Sequence, residues 1–437
     1  MTERVLRVSL VVLLAPSPAS GQDVRVPEQL TLQRALSLAL ERNPAMAAVR
    51  ADREIAAADQ RQAALRPNPA FSFESAGFPL SSENRPGVFD AQELTFRVDQ
   101  ELELGGRRGL RRRVAATGVA AAEARIEDAK RLLTLDVQRA YFQAVLATAE
   151  KDVARASLDE IDKAIALNRA RLEQGEISGG DLRRLQVERL RFVDDVFAAE
   201  LALRNARSAL LALMNVPDVN QAFAVVEPLA AGAVALPNAL PAAIPGIPPA
   251  TIGAAGPQLG SDALARRPDV AAARQEVARA ETATRLQRAL RTPNMTVGAG
   301  YMRDFGTNAV VFGATIPMPF FNRNQGGVQR AEAERVQAER RADAAALRAR
   351  LEVQQAANAV DVNRERVQYI EREYLTAARE SRDIVLASYR LGAADLIDFL
   401  DAQRAFRDTV RTYNRALYEQ RISIFELAAA ASLPPGR

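Results

Sequence analysis

Residues 92–104 constrain the fold more than any other stretch of this chain. Leu94, Phe96, Val98, Leu102 and Leu104 fall on one parity and Thr95, Arg97, Asp99, Glu101 and Glu103 on the other. That pattern predicts a β-strand with one apolar and one charged face. Gly105-Gly106 ends the alternation, and from Arg107 a helical pattern without any proline runs to about Leu172. At a rise of about 1.5 Å per residue this makes a rod of roughly 100 Å. A two-faced strand that feeds so long a rod predicts a tunnel wall rather than a compact enzyme.

Composition narrows the classes. After the N-terminus no run of about 18 apolar residues occurs, so a membrane could be crossed only by strands. None of the 437 residues is Cys or His, which removes disulfides, thiolate chemistry, ordinary zinc sites and His-based catalysis. Without cysteine, lipid attachment at an N-terminal cysteine is not expected either. A metal would meet oxygen ligands or pass through, so no bound metal and no cofactor are expected. Lys and Arg total 58 against 54 acids, a net charge of only +4, so nucleic acid is not expected as a partner. The dense basic run is Arg107, Arg108, Arg111, Arg112 and Arg113. Directly after the two-faced strand it reads as an interfacial cluster beside anionic lipid, or more plainly as a solvated helix start.

Residues 1–21 carry Arg4 and Arg7, an apolar run over 8–14 and then small residues with prolines, the layout of a secretory signal cleaved near Ala19 or Gly21. A first helix with Leu32, Leu36 and Leu40 at helical spacing is interrupted at Asn43-Pro44 and resumes to about Leu65, before Pro67-Asn68-Pro69. A strand is expected over 70–76 and a loop over 77–90. The long rod turns at about 173–180, where Asp181 can cap a return helix that reaches about Met214, so 107–214 forms a helical hairpin. Residues 215–260, rich in Ala, Pro and Gly, read as an irregular linker with a short strand near 222–226.

The plan then recurs over 261–431, ahead of a short tail at 432–437. Arg267-Pro268 answers Asn43-Pro44, Gly326-Gly327 answers Gly105-Gly106, and Leu391-Gly392 with Asp395-Leu396 answers Gln174-Gly175 with Asp181-Leu182. Offsets of about 214 to 226 residues describe a tandem duplication with small insertions. The second repeat (261–431) supplies strands at 295–302 and 309–317 and a helical hairpin at 328–431; the first repeat (22–214) supplies the strands at 70–76 and 92–104.

A sheet of so few strands cannot close, and an open edge in lipid leaves backbone groups unsatisfied. The barrel is therefore expected to be shared, and three chains give an even strand number of the usual kind. Aromatics gather in the strand segments, among them Phe71, Phe73, Phe96, Tyr301, Phe312, Phe320 and Phe321, as in the girdles of a membrane barrel. The rods carry two apolar stripes, such as Phe399, Phe406, Tyr413 and Leu417 beside Leu396, Leu400 and Val410, which suits packing side by side into a wall.

The duplicated plan and the segment from Tyr389 through Gly392, Asp395, Leu396 and Asp398 to Asp401 resemble the TolC family of trimeric outer-membrane efflux ducts, from about Leu30 to Ala431. Within it, Glu103-Leu104-Gly105-Gly106-Arg107-Arg108 and residues 317–326 are similar to the outer-membrane components of cobalt–zinc–cadmium type RND cation-efflux systems. The resemblance implies an α+β fold, with a trimeric transmembrane β-barrel above a long helical barrel in the periplasm. It implies a homotrimer embedded in outer-membrane lipid, a periplasmic adaptor docked on the hairpin tips at Gly175, Gly392, Asp395 and Leu396, and an inner-membrane RND pump.

By position, the resemblance makes Asp398 and Asp401 an acidic ring at the entrance and Tyr389 with Asp181 a lock that holds the tip closed. The family archetype's arginine in that lock is replaced here by Ala394. Helix capping for Asp181 and Asp395, ordinary solvation for Asp398 and Asp401, and plain packing for Tyr389 remain as alternatives. The expected function is a passive, non-enzymatic export duct for heavy-metal cations. The same duct for drugs or protein secretion is the alternative, and a soluble periplasmic scaffold is a more remote one. A hydrolase built on Glu101 and Glu103 is disfavoured because the two carboxylates stand in one row without an opposing partner.

Overall fold

In the computed structural model, which describes residues 26–76, 93–229, 256–304 and 307–433, a two-residue strand, β1 (Gln29–Leu30), leads into α1 (Leu32–Arg42) and α2 (Pro44–Ala64). Pro44 occupies the first turn of α2, where its missing N–H costs nothing, and Asn43 caps that helix by accepting from Ala45 N–H at 2.9 Å. The same side chain donates its Nδ2 to Leu213 O at 3.0 Å, closing the C-terminal end of a helix far along the chain. The expected signal segment, the loop at 77–90, most of the 215–260 linker and the last residues of the tail lie outside the described residues.

Two strands follow, β2 (Ala70–Ala76) and β3 (Glu93–Leu102), and then α3 (Arg107–Glu173), a continuous helix of 67 residues. A turn leads into α4 (Gly179–Leu213), and β4 (Ala224–Val225) pairs in parallel with β1. Fully buried Tyr141 of α3 ties this region together. Its hydroxyl donates to Leu30 O at 2.8 Å, accepts from Val226 N–H at 3.1 Å and meets the Glu227 carboxylate, which also takes Leu32 N–H at 2.9 Å.

The second repeat comprises α5 (Gly256–Arg266), α6 (Pro268–Ala289), β5 (Met295–Asp304), β6 (Thr307–Thr315), α7 (Gln325–Tyr369), α8 (Thr376–Arg390) and α9 (Leu396–Ala430). Three details differ from expectation. The start of α5 lies inside the stretch read as irregular linker. β5 runs on to Asp304 and β6 spans Thr307–Thr315, two residues nearer the N-terminus than expected. The second long rod is not one α-helix: a π-helical turn at Ile370–Leu375 joins α7 to α8. Element ends shift by a few residues in any sequence pattern, and the π-helical turn contains no proline or glycine to mark it.

Arg267 stands where Asn43 stands in the first repeat and does the same work by stronger means. Its side chain, 1% exposed, donates to Ala430 O at 3.3 Å at the end of α9 and pairs with Asp269 at 2.7 Å and Glu352 at 2.7 Å. Leu213 and Ala430, the two capped carbonyls, are themselves equivalent positions of the duplication.

β2, β3, β5 and β6 form one antiparallel sheet in that order. Phe73, Phe96, Tyr301 and Val310 lie in one row across it, and Phe71, Val98, Ala299 and Phe312 in the next. These rows make one face apolar and exposed, with Phe312 81% and Phe71 69% accessible. The opposite face carries Ser72, Arg97, Gly300 and Val311 in one row and Ala70, Asp99, Gly298 and Gly313 in another. Among the described residues, neither outer strand has a partner on its other edge.

The rods pack side by side, α4 on α3, α3 on α9, and α9 on α7 and α8. The two flanking helices keep exposed apolar stripes: Val187, Leu190, Phe197 and Leu201 on α4, and Val362, Tyr369 and Ile384 along α7 and α8.

Candidate functional site

Four helix ends meet at the tip of the rods. α3 ends because Gly175, at φ +76°, adopts the left-handed conformation, so that Glu176 N–H reaches Arg171 O at 2.9 Å and Gly175 N–H reaches Leu172 O at 3.0 Å. α8 ends in the same way. Gly392 also has φ +76°, with Ala393 N–H on Ser388 O at 2.8 Å and Gly392 N–H on Tyr389 O at 3.1 Å.

The return helices then start at equivalent positions, with Ser178 capping α4 and Asp395 at the cap position of α9. This corrects the repeat register at the tip, because Asp395 answers Ser178, and Asp398 answers Asp181. It also corrects the role of Asp181, which lies in the first turn rather than at the cap. Ser178 and Asp181 form a reciprocal capping box, with Asp181 N–H on Ser178 Oγ at 3.2 Å and Ser178 N–H on Asp181 Oδ2 at 3.4 Å, and the Ser178 hydroxyl also donates to Asp181 Oδ2 at 2.8 Å.

The second repeat lacks that box. Asp395 has no hydroxyl to share, its side chain accepts no capping hydrogen bond, and Asp398 is exposed with no hydrogen-bond or ion-pair partner among the described residues. Asp401 is 64% exposed and is met by Arg404 at 3.1 Å, while Arg404 also pairs with Glu188 of α4. Bonding to Glu188 raises the affinity of the Arg404 guanidinium for its proton, which fixes it as a cation. Of the two acids, Asp398 is therefore the uncompensated charge.

Tyr389 and Asp181 are not brought together within the chain. Tyr389 is 4% exposed and stacks on Phe399 with ring centroids 4.8 Å apart at 12°. Its hydroxyl accepts from Asn168 Nδ2 of α3, which also donates to Ala164 O at 2.8 Å. Arg171 crosses from α3 as well, donating to Tyr389 O at 3.0 Å and Arg390 O at 2.8 Å with its guanidinium 5.6 Å from the tyrosine ring. One hairpin thus caps the helix end of the other. Around these polar links Ile161, Ile165, Leu185, Phe399 and Leu400 form a small core, with Leu396 packed against it.

Asn168 and Arg171 were missed in the sequence. Asn168 follows Ile161, Ala164 and Ile165 at helical spacing, and a polar side chain on that buried stripe was the available sign. No group of three or more His, Cys, Asp or Glu among the described residues is placed to hold a metal ion.

At the other end of α3 the basic cluster is corrected in part. Arg107 is 8% exposed and donates to Ala289 O (3.3 Å) and Leu290 O (3.4 Å) at the end of α6. Arg108 donates to Ala64 O at 2.8 Å, and Arg111 to Leu65 O at 3.3 Å and Glu103 Oε2 at 3.0 Å. These guanidiniums turn inward because two helix C-termini, each with unpaired carbonyls and negative partial charge, end beside the start of α3. Arg112 and Arg113 remain exposed.

Comparison with known proteins places this architecture. A family model described as outer membrane efflux protein matches residues 35–216 and 259–432. The cobalt-zinc-cadmium resistance protein CzcC of Cupriavidus metallidurans is 28% identical over 379 residues, which is 86% of this chain and 83% of that protein. The nickel and cobalt resistance protein CnrC of the same species is 29% identical over 358 residues, 81% of this chain and 78% of its own.

Among solved structures, a membrane protein from Pseudomonas aeruginosa superposes with a TM-score of 0.75 at 22% identity, covering 92% of this chain and 93% of the other. The outer membrane protein VceC of Vibrio cholerae gives 0.73 at 20%, covering 92% and 95%. The duplicated rods, the shared sheet and the matched residues agree, and the chain belongs to the outer membrane efflux protein family.

Proposed function

We propose that three copies of this chain close a β-barrel in the outer membrane and a helical tunnel through the periplasm, forming the passive exit duct of a tripartite RND-type system for heavy-metal cations. The observation that carries the duct is the sheet, whose exposed apolar face suits lipid and whose two free edges demand neighbouring chains. The unpartnered stripes on α4 and on α7 and α8 support the same association, since each needs a facing helix. A periplasmic adaptor docks at the hairpin tips around Gly175, Gly392, Asp395 and Leu396, and an inner-membrane pump supplies the energy. Arg112 and Arg113 face the anionic headgroups. The cargo assignment rests on the names of the relatives, two of which are cobalt, zinc, cadmium or nickel resistance proteins.

Growth of a deletion strain across divalent metals, detergents and antibiotics tests the reading. Sensitivity confined to cobalt, zinc, cadmium or nickel is the expected result. Broad sensitivity to drugs instead would reassign the cargo and keep the duct.

The tip acts as the gate in this reading, and the Tyr389 to Asn168 link holds it closed. Tyr389→Phe removes that bond and keeps the stack on Phe399, so the loss is about 1 kcal/mol, or roughly a fivefold rise in the open population. Uptake of a large antibiotic such as vancomycin should rise accordingly, and Asn168→Leu added to Tyr389→Phe should add little. Wild-type uptake in both variants would place the closing contact elsewhere.

A further inference from the structure

The charged face of the sheet holds an arrangement that the duct reading leaves unused. Arg97 and Asp99, neighbours on that face of β3, form an ion pair at 2.7 Å with side chains 31% and 24% accessible. Under them lie three glycines of β5 and β6. Gly300 is the cross-strand partner of Arg97, Gly298 is the partner of Asp99, and Gly313 is the partner of Gly298.

At each of the three positions a side chain would meet atoms already in place. A methyl group at Gly298 would overlap Asp99 Oδ1 and come within 2.7 Å of Arg97 Nε; at Gly313 it would lie 2.7 Å from Arg97 Nη2, and at Gly300 it would run into Phe96 O of the β3 backbone. The glycines therefore form a trench across two strands, and the arginine lies flat in it instead of projecting. Glycine weakens a strand interior through entropy and lost packing, so three at one spot need a local reason.

We infer that Arg97 and Asp99, seated in the trench of Gly298, Gly300 and Gly313, set the charge at their own level of the barrel interior, with Arg97 neutralising a ring of Asp99 carboxylates that would otherwise add to those of Glu74 and Glu101 on the same face. The inference rests on the duct reading, because the apolar rows of Phe73, Phe96 and Tyr301 turn the opposite face toward the lumen. In a symmetric assembly every charge on that face is repeated at one level. An uncompensated Asp99 would thus add a ring of negative charge, and its field would favour cations and slow their exit. A recessed, paired arginine cancels that field without narrowing the bore. Arg97 is on this view a specificity-determining residue for the ions that pass.

Purified protein in planar bilayers under a KCl gradient provides the test, with permeability ratios read from the reversal potential. Arg97→Gln should raise the cation-to-anion permeability ratio and Asp99→Asn should lower it, each by about twofold at 0.1 M salt, where charges act over about 10 Å. The double variant should return to the wild-type ratio. Opposite signs are the signature, since a merely structural pair would alter stability alike in both variants and leave the ratio unmoved. The trench is checked separately: Gly298→Ala should lower the yield of assembled oligomer, and adding Asp99→Ala should recover it. Conducting variants with unshifted ratios, or with shifts of the same sign, overturn the inference. Wild-type protein that forms no pores overturns the duct reading itself, and the inference with it.

Discussion

Arg267→Ala should destabilise the rods by about 3 kcal/mol, because it leaves two carboxylates without the cation that compensates them. The guanidinium, 1% exposed, binds Asp269, Glu352 and the last carbonyl turn of α9, so its loss opens the junction between α6, α7 and α9. Arg267→Met should cost nearly as much, since volume is kept and the acids stay unpaired. Changing all three, with Arg267→Met, Asp269→Asn and Glu352→Gln, should recover most of the loss. The helical circular-dichroism signal on heating reads all of these, and equal melting for Arg267→Ala and wild type would refute the assignment.

The same pair sets a pH dependence. Burial works to raise the Asp269 pKa, but hydrogen bonding and charge from Arg267 outweigh it and hold the carboxyl below its ordinary value of 3.8. A depressed folded pKa contributes stability that is complete above that ordinary value and is lost as pH falls through the lower folded one. Neutral pH should therefore show no change, and the difference between wild type and Asp269→Asn should shrink only in acid.

Asp398 carries the second large effect. It is exposed at the tip without a hydrogen-bond or ion-pair partner among the described residues, because Asp395 stands where a serine would draw it into a capping box as Ser178 draws Asp181. In a threefold constriction such a charge concentrates cations. Changing Asp398 and Asp401 together to alanine should raise single-channel conductance, and the concentration of a divalent or trivalent cation needed to block should rise by about tenfold or more. Asp395→Ser should reproduce part of this while Asp398 keeps its charge, both by deleting the Asp395 carboxylate and by turning that of Asp398 back onto the helix end. Unchanged block in the double variant would mean that the narrowest acidic level lies elsewhere.

Much of this architecture is written in local pattern. The strand of residues 92–104, the proline-free rod after Gly106, the breaks at Asn43-Pro44 and Arg267-Pro268, and the glycine turns at 175 and 392 each follow from periodicity or from a residue's own backbone preference, which needs no distant partner. The duplication was legible because the same punctuation returns.

What failed to show in the sequence depends on neighbours far along the chain. Arg107, Arg108 and Arg111 read as a surface cluster until two helix ends are found beside them. The link from Tyr389 to Asn168 joins residues of separate hairpins, and the trench under Arg97 requires three strands in register. Sequence alone thus determined the elements, their order and their repeat, since those arise from interactions within a few residues. Only the tertiary structure decided which charges are spent inside the fold and which, like Asp398, are left to act, because pairing is a matter of distance in space.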